Sequence, residues 1–136
     1  MKIFTDAGHN HSNFNTGCAA NGLKEQDITF SVGKLLADKL KACEGVEIML
    51  SRPTNETNLG TNNATAISAR YTAANNWKAD FFISIHVNAG KGTGAETLYY
   101  KPDSLFYAEK VQAEYVKHMN IRNRGVKYRN DVAVIR

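Results

Sequence analysis

Lys2–Thr5, "KIFT", alternates between polar and apolar positions and predicts a short first strand. Residues 10–22, "NHSNFNTGCAANG", are polar, glycine-containing and rich in asparagine, which predicts a long loop of the kind that often carries function. Helical spacing follows over residues 24–43. There Ile28, Val32, Leu35, Leu36, Leu40 and Cys43 share one face, and Glu25, Gln26 and Asp27 occupy the first turn, where acid suits the helix dipole. "GVEIMLSR" predicts a second strand, and residues 53–65 a second polar loop with Pro53, Gly60 and many Asn and Thr. A helix is predicted over 66–79, with Ile67, Tyr71 and Ala74 inward. "DFFISIHVNAG", residues 80–90, is the most apolar strand and is expected at the centre of a sheet covered on both faces. Gly90, Gly92 and Gly94 predict a flexible turn, and "AETLYY" a further strand. Residues 104–119 predict a helix capped by Ser104, with Leu105, Ala108, Val111, Gln112, Tyr115 and Met119 on one stripe. "GVKYRNDVAVIR" closes in strand-like alternation.

Alternating strands and helices predict an α/β fold: a single domain with a twisted, largely parallel sheet and helices on both faces. At 136 residues, with 43% hydrophobic and 22% charged positions, the chain can bury a core without disulfides. The net charge of +4 favours anionic surfaces in general. The basic residues are not interleaved with aromatics in one block, so no nucleic-acid partner is expected. No apolar run is long enough for a signal peptide or a membrane span. The expectation is a protein made in the cytoplasm, without membrane insertion, that another agent releases if it acts outside. Cys18 and Cys43 lack Cys-x-x-Cys spacing and predict reduced thiols, Cys43 buried in its helix.

Open α/β sheets bind ligands outside the carboxyl ends of their strands. His9, in "DAGHN", follows the first strand, and His86 ends "FFISIH". Glu25 starts the first helix, where the chain returns from the long loop. Two imidazoles and a carboxylate from three separate elements match a catalytic Zn²⁺ site, which takes three protein ligands. Its chemistry would be amide or ester hydrolysis. The residues alone leave other roles open. His9 also fits a solvated turn residue, His86 a hydrogen-bonded core histidine, and Glu25 a group that stabilises its helix N-terminus. His11 is a rival ligand in the same loop, and His118 fits a dipole-compensating surface residue.

"DAGHN", "GLKEQDITFSVGKLLADKL", "SR" followed by "AISARYTAANNWKADFFISIHVNAG", and "GAETLYY" together resemble the zinc-dependent N-acetylmuramoyl-L-alanine amidases of the amidase-3 type. The resemblance covers essentially all of residues 1–136, in order. It implies an amidase-3-like catalytic domain whose zinc ligands are His9, Glu25 and His86. It also implies a bacterial peptidoglycan substrate, cut at the amide between N-acetylmuramic acid and L-alanine, as by an endolysin or a sporulation autolysin. Arg70 and Asn75 match a family helix; Arg70 is expected to pair with an acid and Asn75 to brace the following turn. Asp6 is expected to orient His9 through its ring N–H.

The family pattern runs on past "VAVIR" to a strand bearing the glutamate that moves protons, so the chain is expected to be truncated at its C-terminus. Glu96 is the stand-in acid for catalysis, with substrate or ligand holding as its other role; Glu56 is weaker. Zinc is then expected to bind more readily than amide bonds are cut. The alternative function is a peptidoglycan-binding module or fragment that keeps the zinc site without turnover. A bare sheet edge would also invite a homodimer.

Overall fold

A computed structural model describes residues 1–88, 90 and 92–136. Ala89, at the end of the predicted third strand, and Lys91, within the predicted glycine turn, lie outside the described residues. The chain forms two compact units, Met1–Val87 and Asn88–Arg136. The first contains β1 (Lys2–Ala7), β2 (Ala19–Ala20), β3 (Leu23–Lys24), α1 (Glu25–Lys41), β4 (Glu47–Leu50), α2 (Asn63–Asn76) and β5 (Phe81–Ile85). The second contains β6 (Ala95–Tyr99), α3 (Leu105–Met119) and β7 (Asn123–Tyr128). The α/β class holds: every strand pair outside the short β2–β3 hairpin is parallel.

In the first unit the strand order is β4-β1-β5. The central position belongs to β1, not to the predicted "FFISIH". Five of the six β1 residues are buried, whereas those of β5 are all half-buried. Successive β1 side chains point to opposite faces. Ala7 packs beneath Gly33 of α1, while Asp6 meets Arg70 of α2, so the two helices cover opposite faces of this sheet. Phe4, on the Asp6 face, stacks on Phe82 with ring centroids 5.6 Å apart. Burying such a ring contributes about 1.5–3 kcal/mol.

The face of α1 is the main correction to the predicted elements. It buries Gln26, Thr29, Gly33 and Ala37, while Val32 and Leu35 of the predicted stripe are exposed. Small residues let the helix lie close to β1 and β4, and a methyl added at Gly33 would already touch Ala7 at 3.4 Å. Cys43 is accordingly an exposed free thiol, as is Cys18. The helix α2 begins three residues earlier than predicted. Asn62 and Thr65 form a reciprocal capping box there, and the buried positions are Ala66, Arg70 and Ala74 rather than Tyr71. Asn75 is exposed, and its backbone carbonyl, not its side chain, accepts the Lys78 N–H. The loop over 10–22 is not wholly irregular: Asn21 and Gly22 both take positive φ and turn the chain between β2 and β3.

In the second unit α3 connects parallel strands β6 and β7. Gln112 anchors it, donating to the Ala95 carbonyl and Asn123 Oδ1 while its own Oε1 accepts from Thr97 Oγ1. Ala108 and Gln112 are the buried positions; Val111, Tyr115 and Met119 of the predicted stripe are exposed. Ser104 precedes α3 but does not cap it, since a turn of 3-10 helix at Pro102–Ser104 turns its hydroxyl back to the Lys101 carbonyl. Strand β7 stops at Tyr128, where Arg129 and Asp131 form a two-pronged ion pair and the predicted alternation ends in a turn.

Candidate metal centre

Three elements of the first unit deliver the candidate ligands. His9 follows β1 with φ of 70°, a left-handed conformation costly for a non-glycine residue. The surrounding structure holds it there. Arg70 Nη2 donates to the His9 carbonyl at 2.6 Å, while Nη1 donates to Asp6 Oδ1 and to the Ala7 carbonyl at 2.6 and 2.7 Å. Asp6 therefore does not orient the His9 ring. Its carboxylate is taken by Arg70 and by the Ser84 hydroxyl, and it acts on His9 only through the backbone. Among the described residues His9 Nδ1 has no hydrogen-bond partner.

Glu25 opens α1 and is buried. Its Oε1 accepts the Val87 N–H at 2.8 Å and its Oε2 the Cys18 N–H at 3.2 Å. Burial alone would raise its pKa, but those two amides and the neighbouring imidazoles outweigh that effect and hold the carboxyl below its ordinary value of 4.5. For His86, desolvation first and then the neighbouring His9 lower the pKa below 6.5, which favours the neutral imidazole a metal requires.

His9, Glu25 and His86 converge. His9 Nε2 lies 3.1 Å and His86 Nδ1 3.4 Å from Glu25 Oε1, and the two ring nitrogens are 3.2 Å apart. The imidazoles meet edge to face at 77°. Tetrahedral zinc with bonds of about 2.0–2.1 Å places its ligand atoms about 3.3 Å from one another, so the donor set fits that ion in both type and spacing. His11 is not in the group, and His118 pairs with Glu114 on the surface of α3. In the second unit, Glu96 is held by Lys127 and by Arg124, the latter at 3.1 Å. The Lys127 hydrogen bond is the main reason its carboxyl lies below the usual range.

Two glycines missed in the sequence make room for these ligands. A Cβ on Gly8 would stand 2.5 Å from His86 Cε1 and 2.6 Å from the Ile85 carbonyl oxygen; one on Gly17 would stand 2.5 Å from Glu25 Cβ. Their only signal in the sequence is a glycine beside each candidate ligand loop. Gly8→Ala should displace His86 and lower zinc affinity about 10–100-fold, the range for groups that orient metal ligands. Competition with a chelating dye measures it, and an unchanged affinity would show that His86 can give way freely.

The Amidase_3 family model, described as N-acetylmuramoyl-L-alanine amidase, matches residues 3–136. The chain belongs to that family. Among its relatives, this family member is 37% identical over 134 residues to the N-acetylmuramoyl-L-alanine amidase CwlM of Bacillus licheniformis, an alignment spanning 96% of the chain and 49% of the relative. It is 31% identical over 135 residues to an endolysin of Bacillus phage SPP1, with 96% and 46% covered. The chain thus spans about half the length of these relatives. Its fold matches the catalytic domain of CwlV, an N-acetylmuramoyl-L-alanine amidase of Bacillus (Paenibacillus) polymyxa var. colistinus, with a TM-score of 0.85, 26% identity and coverage of 99% and 73%. It matches the N-acetylmuramoyl-L-alanine amidase of Clostridium difficile 630 with a TM-score of 0.83, 29% identity and coverage of 98% and 72%.

Acid should weaken the metal-free centre. Glu25, with its lowered pKa, contributes stability in full above 4.5 and loses it as pH falls through the folded-state value. His86, also lowered, adds a loss that begins as pH falls below 6.5, because the unfolded chain then binds the proton more readily. The melting temperature of the metal-free chain should therefore fall from pH 7 to pH 4, and fall less steeply in His86→Ala. Parallel profiles would contradict the assignment.

Proposed function

We propose that residues 1–136 supply the metal centre of a peptidoglycan amidase that hydrolyses the bond between N-acetylmuramic acid and L-alanine. The observation that carries this reading is the convergence of His9, Glu25 and His86 in an amidase-family chain. His9 Nε2, Glu25 Oε1 and His86 Nδ1 would hold zinc, whose Lewis acidity polarises an amide carbonyl and lowers the pKa of water. Glu25 brings negative charge to the centre, and Arg70 fixes the His9 backbone so that its ring approaches from one direction. The ion pairs of Glu96 favour a held anion that orients groups over one that shuttles protons.

The relatives include a sporulation-specific amidase of Bacillus subtilis and a phage endolysin, so action on the cell wall after release fits either setting. Among the described residues no helix is long and apolar enough to cross a membrane. Self-association across an exposed sheet edge goes with this reading, and sedimentation at rising concentration tests it.

The deciding assay incubates the zinc-loaded chain with purified peptidoglycan and counts freed alanine amino groups. Release by the wild type and none by His86→Ala is expected. Zinc-dependent binding to wall sacs without release would favour a binding module, and full activity in His86→Ala would exclude the metal assignment.

A further inference from the structure

One side of His9 opens on a groove of about 570 Å³, lined further by Asn13, Phe14, Asn15, Thr16, Asn63 and Ile67. The groove is shallow and open to solvent, a shape suited to one face of an extended ligand. The groove is built by hydrogen bonds between two loops. Asn10 exchanges bonds with both backbone groups of Leu59, the Ser12 N–H donates to Asn58 Oδ1, and the Asn15 N–H donates to Asn63 Oδ1 at 2.6 Å. Asn13 and Asn15 take left-handed backbone angles of 71° and 54°, and Phe14 stands between them.

The chemistry of this lining is selective. Apart from His9 it offers amides, a hydroxyl, an aromatic ring and an aliphatic side chain, with no charged group. The same holds along both loops. Residues 10–22 and 53–65 together carry eight asparagines and a single formal charge, Glu56, in a chain that is 22% charged. Away from the metal end, a ligand with carboxylates or ammonium groups would lose hydration here without gaining a counter-charge. A neutral ligand rich in hydroxyl and acetamido groups, with C–H faces for a ring, would find partners for each.

Resting on the amidase reading above, we propose that this groove seats the uncharged N-acetylated glycan side of the substrate. Phe14 lies against a sugar face and Asn13 bonds its polar groups. The charged stem peptide leaves the metal centre by another side.

The test titrates the zinc-loaded chain with an N-acetylglucosamine tetramer and, separately, with a sugar-free stem peptide, following both by NMR or calorimetry. Saturable binding of the tetramer is expected, weakened about tenfold or more by Phe14→Ala and by Asn13→Asp. Peptide binding and zinc content should be unchanged in both. Asn13 is exposed, so Asn13→Asp stays informative if Phe14→Ala disturbs its loop. Absent tetramer binding, tetramer binding indifferent to Asn13→Asp, or peptide binding that responds to the substitutions would each overturn the inference. If the wild type holds no zinc and ignores wall sacs, the amidase reading fails and takes this inference with it. If it engages the sacs while tetramer binding is absent or unmoved, the groove assignment alone fails.

Discussion

An Arg70→Met chain is expected to be less stable than the wild type by about 3–5 kcal/mol, the cost of breaking a buried ion pair from one side. Arg70 is 3% exposed and Asp6 fully buried. Removing the guanidinium leaves the Asp6 carboxylate with the Ser84 hydroxyl as its remaining side-chain partner. It also strips donors from the Ala7 and His9 carbonyls and from Asn10 Oδ1. Because Arg70 grips the backbone of His9 in its left-handed conformation, the damage should reach the metal centre as well. Denaturant melts of the metal-free chain measure the first effect and zinc titration the second. Asp6→Asn combined with Arg70→Met should lose less than the sum of the two single changes, since each alone strands a charge. A stability loss below about 1 kcal/mol in Arg70→Met would mean that the pair is dispensable.

The second large effect is expected at Glu25. Glu25→Gln preserves the shape of the side chain but removes its charge and replaces one acceptor oxygen by an N–H₂ donor. Both oxygens already accept backbone amides, from Val87 and Cys18, so the new donor must face another donor whichever way the amide turns. Zinc affinity should fall by more than about 100-fold, beyond the range for residues that only orient ligands. A chelator competition that leaves the affinity of Glu25→Gln within a few-fold of the wild type would remove Glu25 from the ligand set.

Much of this architecture was legible because it depends on periods. Alternation marked β1, helical spacing marked α1 and α2, and the placement of His9 and His86 at strand ends brought both to one edge of the parallel sheet. The faces were harder to read. Hydrophobic spacing pointed α1 along Val32 and Leu35, yet close approach to the sheet selects small residues, so Thr29, Gly33 and Ala37 are buried instead. A small polar face has almost no signature in a hydropathy pattern. The same reason hid Gly8 and Gly17, whose value is the space they leave beside His86 and Glu25.

Polar interiors were the other blind spot. Arg52 is fully buried, donating to the Gln26 and Asn55 carbonyls beneath the turn at Gly8, and Arg70 is nearly so. Both would be surface residues on average composition alone. The resemblance singles out Arg70, and an acidic partner is expected for it, but the expectation that a carboxylate steers a ligand histidine gives Asp6 to His9. A carboxylate on a central strand can reach either face only by its place in the alternation. Asp6 falls on the α2 face, where Arg70 and Ser84 consume it. Asn21 and Gly22 turn a hairpin whose strands are only two residues each, too short to leave an alternation within the polar stretch 10–22.

The most direct measurement is metal stoichiometry on the purified chain after zinc loading and desalting, beside His9→Ala, Glu25→Ala and His86→Ala. One zinc per chain in the wild type, with strongly reduced occupancy in all three variants and folding intact by circular dichroism, is the predicted result. A folded wild type that retains no zinc, or three variants that retain it fully, would contradict the shared site.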